Sequence, residues 1–159
     1  MGQCCGGAQP QRPDIECSPN DPVTLSRPIR YATYGPQKHT IPHDITQTLR
    51  GFYSSGHTVI QSVEESVGNP FPGRKSIVRI WFLNEEPDQT FGEDDAVELK
   101  GFVCYATYNP PDTPAYDVSE AVKDLQRLGK NKWVTPTAVL GNNFPGQSGK
   151  VLKIWYNNN

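Results

Sequence analysis

The chain has 159 residues, a formal net charge of −2 and 35% hydrophobic residues, which suits one ordinary domain or two very small ones. The charge argues against nucleic-acid binding, which calls for a basic surface, and no segment approaches the roughly 18 consecutive apolar residues of a membrane-spanning helix. The 3 Trp, 7 Tyr and 6 Phe supply material for a core, while 15 prolines and 14 glycines indicate many turns.

Residues 1–28 show no hydrophobic periodicity, and we predict that they form a flexible N-terminal tail. The opening "MGQCC" raises one hypothesis, in which Gly2 is myristoylated and Cys4 and Cys5 are palmitoylated. Position 6 is Gly where Ser or Thr is usual, so an unmodified tail is the alternative. Since no signal-peptide pattern opens the chain, we expect a cytoplasmic protein, with acylation as a route to peripheral membrane association.

Most of the remaining chain consists of two segments with similar sequences. Residues 31–82 align with residues 105–156 through the shared segments "YATY", "GN", "FPG" and "IW". Self-similarity of this kind indicates duplication. We therefore predict two tandem homologous repeats, residues 29–100 and 101–159, that pack together. The segment "LNEEPDQTFGEDDAVELKG" would be a hairpin belonging to the first repeat only.

Each repeat is predicted to begin with a strand, Ile29–Tyr34 or Phe102–Tyr108, because its apolar and aromatic residues favour a pleated surface. A proline-rich loop and one short helix follow, with Asp44 or Asp117 as the N-cap. Glycines stand where the helices are expected to end; these are Gly56 and Gly129.

A short strand, a turn and a longer strand complete each repeat. The turn segments "GNPFPG" and "GNNFPG" have the glycine spacing of a phosphate-binding loop, but Pro72 and Pro145 lack the backbone N–H that would bind phosphate. In the strand "SIVRIWF", alternation places one set of side chains on each face. The fold is thus predicted to be mainly β and β-sandwich-like, with one short helix in each repeat.

Metal chemistry is an alternative that depends on the histidines. His39 and His43 flank a proline in one loop, and Asp44 is the nearest carboxylate. A site needs a convergent third ligand, whereas helix capping already explains Asp44. We expect no metal and no cofactor. The acidic residues 85–95 do not follow the order of an EF-hand calcium loop and are interpreted as a solvated hairpin tip.

Four segments carry a family resemblance: "ATYGP" (Ala32–Pro36), "DIT" (Asp44–Thr46), "GNPFPGRK" (Gly68–Lys75) and "FGEDDAVEL" (Phe91–Leu99). Together they resemble an uncharacterised β-rich domain found at the C-terminal end of a mitochondrial J-domain protein and on some bacterial hydrolases. The resemblance implies an accessory or binding module, and it brings no catalytic residues to this chain.

We expect a non-enzymatic binding module whose duplicated units engage a protein or carbohydrate ligand, with avidity from the two copies. The candidate ligand-binding residues are two aligned pairs: Tyr34, Asn69, Tyr108 and Asn142. Exposed, aligned aromatic rings would favour a glycan, and buried rings a protein contact through the loops. Two alternatives stay open: a lipid-anchored membrane adaptor acting through the acylated N-terminus, and a metal-dependent hydrolase using the histidines of the first repeat.

Overall fold

The computed structural model describes residues 12–37 and 41–157. The chain divides into two compact units, Met1–Glu85 and Glu86–Asn159. Over the described residues the fold is mainly β, with several antiparallel sheets and four short helices, which confirms the predicted mainly-β class. No helix in this part of the chain is long and apolar enough to cross a membrane.

The first unit contains a four-stranded antiparallel sheet in the order β1-β6-β3-β4 and a separate two-stranded sheet of β2 and β5. Its described elements are, in chain order, β1 (Ile15–Cys17), β2 (Val23–Thr24), β3 (Ile29–Pro36), β4 (His43–Asp44), α1 (Thr46–Ser54), β5 (Val59–Ile60), α2 (Val63–Val67) and β6 (Ser76–Phe82). Strand β6 has the bounds that its alternation predicts.

The core of the first unit lies between α1 and the central strands. Ala32, Val78 and Ile80 of β3 and β6 are fully buried, as is Leu49 of α1. The start of α1 is tied to β3, because the backbone N–H of Ala32 donates to Thr46 Oγ1 at 2.9 Å. Burial of these apolar side chains is the main favourable contribution to the stability of the unit.

The second unit contains a three-stranded antiparallel sheet in the order β7-β11-β9 and a two-stranded sheet of β8 and β10. Its described elements are β7 (Gln89–Gly92), β8 (Val97–Glu98), β9 (Val103–Asn109), α3 (Ser119–Arg127), β10 (Lys132–Trp133), α4 (Pro136–Leu140) and β11 (Val151–Tyr156). Helix α3 packs on β9, where the backbone N–H of Ala106 donates to Ser119 Oγ at 2.9 Å.

Residues 12–28 are part of the first unit, in contrast to the predicted flexible tail. Strand β1 pairs with β6, β2 pairs with β5, and Val23 and Leu25 are buried in the core. These strands are too short for an alternating pattern to be recognised, which explains the discrepancy. The proposed acylation sites Gly2, Cys4 and Cys5 lie outside the described residues.

The segment after Phe82 differs from prediction in a similar way. Strand β7 pairs with β11 and β8 pairs with β10, so both belong to the second unit instead of extending the first. The division between the units accordingly falls after Glu85, whereas the sequence predicted it after Lys100. A strand joins a sheet by pairing with the free backbone N–H and C=O groups of an edge strand. The order of strands in the sequence does not identify which edge strand that is.

The helices also differ in detail from expectation. Each unit has a second helix of five residues, α2 or α4, where one helix was predicted. The N-cap of α1 is Ile45, not Asp44. The Asp44 carboxylate still serves the helix start, because its Oδ1 accepts from the backbone N–H of Thr46 at 2.9 Å.

Candidate functional site

A cleft of about 430 Å³ opens in the first unit, lined by residues of β1, the β1–β2 connection, β3, α2 and the start of β6. We call it the first-unit cleft. Its volume is in the range of sites that hold small ligands, roughly 300–1,000 Å³. The lining includes carboxylate, amide, hydroxyl and cationic side chains.

Tyr34 and Ser76 both line this cleft, and the hydroxyl oxygen of each residue is buried. Tyr34 is 0% exposed and Ser76 is 7% exposed, and neither hydroxyl has a hydrogen-bond partner among the described residues. A buried polar group without a partner costs about 1–3 kcal/mol. Native proteins rarely retain such groups unless water, an ion or a ligand satisfies them.

The ionisation state of Tyr34 suits hydrogen bonding. Burial, with a smaller contribution from the nearby carboxylate of Glu64, raises the pKa of the Tyr34 phenol above its ordinary value. The phenol therefore stays protonated at neutral pH, where it both donates and accepts. The Ser76 hydroxyl has the same dual capacity.

One wall of the cleft is held in place by α2 and the turn that follows it. Ser62 caps α2 by accepting from the backbone N–H of Glu65 at 3.2 Å, which fixes the start of the helix carrying Glu64. Asn69 Oδ1 accepts from the backbone N–H of Phe71 at 2.9 Å, and its Nδ2 donates to Glu64 Oε2 at 3.4 Å. The carboxylate and the amide are thus positioned together before any ligand arrives.

The lining has balanced charge. Glu16 and Glu64 supply two carboxylates, and Arg74 and Lys75 supply two cations. Arg74 and Lys75 belong to the exposed loop before β6. Glu16 also pairs with Arg79, whose Nε lies 2.8 Å from Glu16 Oε2. An uncharged ligand in the cleft would lie close to carboxylate groups and to cationic groups.

The second unit arranges the equivalent groups differently. The Tyr108 hydroxyl shares a hydrogen bond with Thr137 Oγ1. Lys150 is 5% exposed, and its Nζ lies 3.1 Å from Glu93 Oε1 and donates to the backbone carbonyl of Gln147 at 2.9 Å. The side-chain and backbone hydrogen bonds that Lys150 donates to Glu93 hold the pKa of the Glu93 carboxyl below its ordinary value.

The sequence alignment matches Tyr108 with Tyr34, and Lys150 with Ser76. The aligned tyrosines therefore differ in one decisive respect, because Tyr108 has a hydroxyl partner and Tyr34 has none among the described residues. Where the second unit buries a long, paired lysine, the first unit has a small serine beside open space.

The structure brings together two of the four predicted ligand-binding residues. Tyr34 and Asn69 both line the first-unit cleft. Tyr108 is buried and bonded to Thr137, while Asn142 is exposed and its Oδ1 accepts from the backbone N–H of Phe144 at 3.2 Å. Sequence reasoning missed Ser76, although its difference from Lys150 at the aligned position was a readable signal.

Among the described residues the exposed aromatic side chains are Phe102 at 80% and Tyr116 at 44%, and neither lines the first-unit cleft. Tyr34, Tyr105 and Tyr108 are all at most 1% exposed. Tyr105 lies against Trp155 with ring centroids 5.1 Å apart. Recognition at the cleft would therefore rely on hydrogen bonds rather than on a stacked ring.

The histidine site of the hydrolase alternative is not assembled by the described residues. His43 is exposed in β4, Asp44 bonds the start of α1, and His39 lies outside the described ranges. Within those ranges no group of three or more His, Cys, Asp or Glu could hold a metal ion.

The acidic residues 85–95 are partly engaged in the fold. Asp95 Oδ2 accepts from the backbone N–H of Gly92 at 2.7 Å, and Asp88 Oδ2 accepts from that of Tyr156 at 2.7 Å. Glu93 pairs with Lys150. These carboxylates stabilise the second unit, which is a structural explanation for the charge of the segment.

Comparison with family models, curated proteins and solved structures found no match for this chain. The resemblance to the β-rich accessory domain consequently stays a prediction. Function has to be inferred from the geometry of the first-unit cleft.

Proposed function

We propose that the chain is a non-enzymatic binding module built from duplicated units, and that the first-unit cleft holds its protein or carbohydrate ligand. The observation that carries this proposal is the pair of buried Tyr34 and Ser76 hydroxyls, which have no hydrogen-bond partner among the described residues and belong to two residues lining a cleft of about 430 Å³. A ligand that bonds both groups would remove their desolvation cost, and that gain would favour the bound state.

Matching hydrogen bonds support the duplication. Thr46 bonds the backbone N–H of Ala32 in the first unit, and Ser119 bonds that of Ala106 in the second, each at 2.9 Å. These residues are aligned in the sequence, although their side chains differ.

Matching aromatic pairs give a second line of support. The centroid distance is 5.4 Å for Tyr31 and Trp81 and 5.1 Å for Tyr105 and Trp155. In each unit the two aromatic residues are also opposite one another in the strand register. Two copies of one ancestral unit would retain such pairs.

The chemistry of the lining favours binding over catalysis. A nucleophilic serine needs an adjacent base, and no histidine is found among the described residues that line the cleft. Burial, with a smaller contribution from Asp21, raises the pKa of the Cys17 thiol above its ordinary value, which lowers the fraction of reactive thiolate at neutral pH. The cleft offers hydrogen bonds to a ligand and no activated group to attack it.

A binding screen of the full chain against glycan and peptide libraries tests the proposal. Pro19 stands 74 positions before Glu93, the same spacing that separates Ser76 from Lys150. We expect a ligand whose binding is lost when Pro19→Glu and Ser76→Lys are combined, because these changes copy the Glu93–Lys150 pair into the first-unit cleft. A screen that finds no ligand would contradict the proposal. So would a ligand whose binding is unchanged when the cleft is filled by the two substitutions.

A matched pair of asparagine variants provides the control. Asn69→Ala and Asn142→Ala each remove a side-chain bond to the backbone two residues ahead, and Asn69→Ala also removes the bond to Glu64 Oε2. Urea unfolding of both variants measures any difference in folding. Only Asn69→Ala should weaken binding, since only Asn69 lines the cleft. Equal effects of the two variants on binding would count against the cleft as the site.

The lipid-anchored adaptor stays a separate prediction, because Gly2, Cys4 and Cys5 lie outside the described residues. Mass spectrometry of the natively expressed protein tests it directly. An unmodified Gly2 would end that alternative without affecting the proposed cleft.

A further inference from the structure

Resting on the proposed function, we propose that the ligand of the first-unit cleft is a short neutral carbohydrate, and that one molecule binds per chain. The inference joins three observations: the hydroxyls lining the cleft, the balance of charges around them, and the filled counterpart in the second unit. Each of these restricts the ligand in a different way.

The buried hydroxyls call for a ligand group that can both donate and accept. Tyr34 and Ser76 each carry one donor and two acceptor lone pairs, and both are more than nine-tenths buried. A sugar hydroxyl has the same dual capacity, so it is matched to a protein hydroxyl of this kind. The amide of Asn69 and the carboxylate of Glu64 extend this set along the wall of the cleft.

The charges restrict the ligand further. An anionic sugar would be drawn to Arg74 and Lys75 but repelled by Glu64 and, less strongly, by Glu16, whose charge Arg79 already offsets. A cationic sugar would meet the reverse arrangement. A neutral hydroxyl can donate to a carboxylate and accept from a cation without either penalty. The lining therefore favours a polyhydroxylated ligand without net charge.

The polar groups of the second unit explain why we expect one ligand per chain. Lys150 is buried there, with its ammonium paired to Glu93 and bonded to the carbonyl of Gln147. The hydroxyl of Tyr108 already shares a hydrogen bond with Thr137 Oγ1. The polar groups that would bind a second ligand are thus already satisfied by the chain itself, which leaves one site where duplication alone would give two.

Isothermal titration calorimetry on the full chain tests the proposal with defined probes. The neutral probes are maltose, cellobiose and di-N-acetylchitobiose; the charged probes are digalacturonic acid and the disaccharide of unacetylated glucosamine. We expect at least one neutral disaccharide to bind at a ratio of one per chain, and at least about tenfold more tightly than either charged probe, which repulsion should weaken. Tighter binding of a charged probe, or two sites per chain, would overturn the inference.

Tyrosine and serine variants locate the binding. Tyr34→Phe and Ser76→Ala each remove one hydroxyl and should weaken the neutral disaccharide by about 5- to 10-fold, the effect of one lost hydrogen bond. Tyr108→Phe removes the aligned hydroxyl of the second unit and should leave the affinity unchanged. Equal losses in all three variants would indicate an effect on folding and overturn the assignment.

The outcomes separate this inference from the function on which it rests. If a peptide binds in the library screen and is lost on filling the cleft, while no neutral disaccharide binds, the carbohydrate assignment is wrong and the binding module stands. If no ligand of either class depends on the cleft, both are wrong.

Discussion

The Asp14 carboxylate accepts a hydrogen bond from the backbone N–H of Phe82 at 2.7 Å, although the two residues are 68 positions apart. Asp88 makes a bond of the same length to the backbone N–H of Tyr156, again across 68 positions. Each aspartate lies just before the first strand of its unit, and each N–H belongs to the last. The bond therefore joins the start of a unit to its end.

Removing the first of these bonds tests whether residues 12–28 belong to the folded unit. We expect Asp14→Ala to lower the free energy of unfolding by about 1 kcal/mol, the typical contribution of one such bond. Urea denaturation of the full chain measures it, with Asp94→Ala at an exposed position as the control. No loss of stability in Asp14→Ala would show that these residues act as an independent tail.

The two aligned tyrosines should respond in opposite ways to loss of their hydroxyls. Without ligand, Tyr34→Phe is expected to leave stability unchanged or to raise it by up to about 1 kcal/mol, because a buried hydroxyl without a protein partner is removed. Tyr108→Phe should lower stability by about 1 kcal/mol, because Thr137 loses its partner. Comparable losses from both variants, measured by urea unfolding, would contradict the environment described for Tyr34.

The Glu93–Lys150 pair predicts a pH dependence of stability. Its hydrogen bonds lower the pKa of the folded Glu93 carboxyl, so the stabilisation is complete above the unfolded pKa and is lost as pH falls through the folded one. Glu93→Gln should therefore be less stable than the natural chain at pH 7, and the difference should shrink in acid. A difference that grows on acidification would contradict the pairing.

Cys17 reports on the first-unit cleft, because it lines the cleft and its thiol has a raised pKa. At pH 8 we expect iodoacetamide to modify Cys17 more slowly in the folded chain than in urea, since less thiolate is present. Peptide mapping by mass spectrometry follows this cysteine separately from the others. Asp21→Asn should accelerate the reaction, and an unchanged rate would exclude a contribution of Asp21 to the raised pKa.

Sequence patterns predicted the long elements well. Strand β6 was predicted at its observed bounds because seven alternating residues define a period of two. Strands β1 and β2 were missed, since elements of two or three residues carry no period. Helix α2 was missed for a related reason, because five residues are too few to show an amphipathic stripe.

The site was predictable only in part. Tyr34 and Asn69 were identified because the aligned positions of the second repeat hold the same residue types. This criterion finds only features that the two units have in common. The cleft depends on a difference, Ser76 in place of Lys150, and on a hydroxyl whose lack of a partner is a property of tertiary packing. The same criterion therefore also predicted Tyr108 and Asn142, whose side chains form hydrogen bonds within the second unit.

Nuclear magnetic resonance titration of the isotope-labelled full chain with the tightest neutral disaccharide tests the assigned site most directly. We predict that the largest backbone amide shifts occur at Cys17, Asn69 and Ser76, and that Lys150 and Tyr108 stay unperturbed. Shifts concentrated in the second unit, or no shifts at saturating disaccharide, would contradict the first-unit cleft as a carbohydrate site.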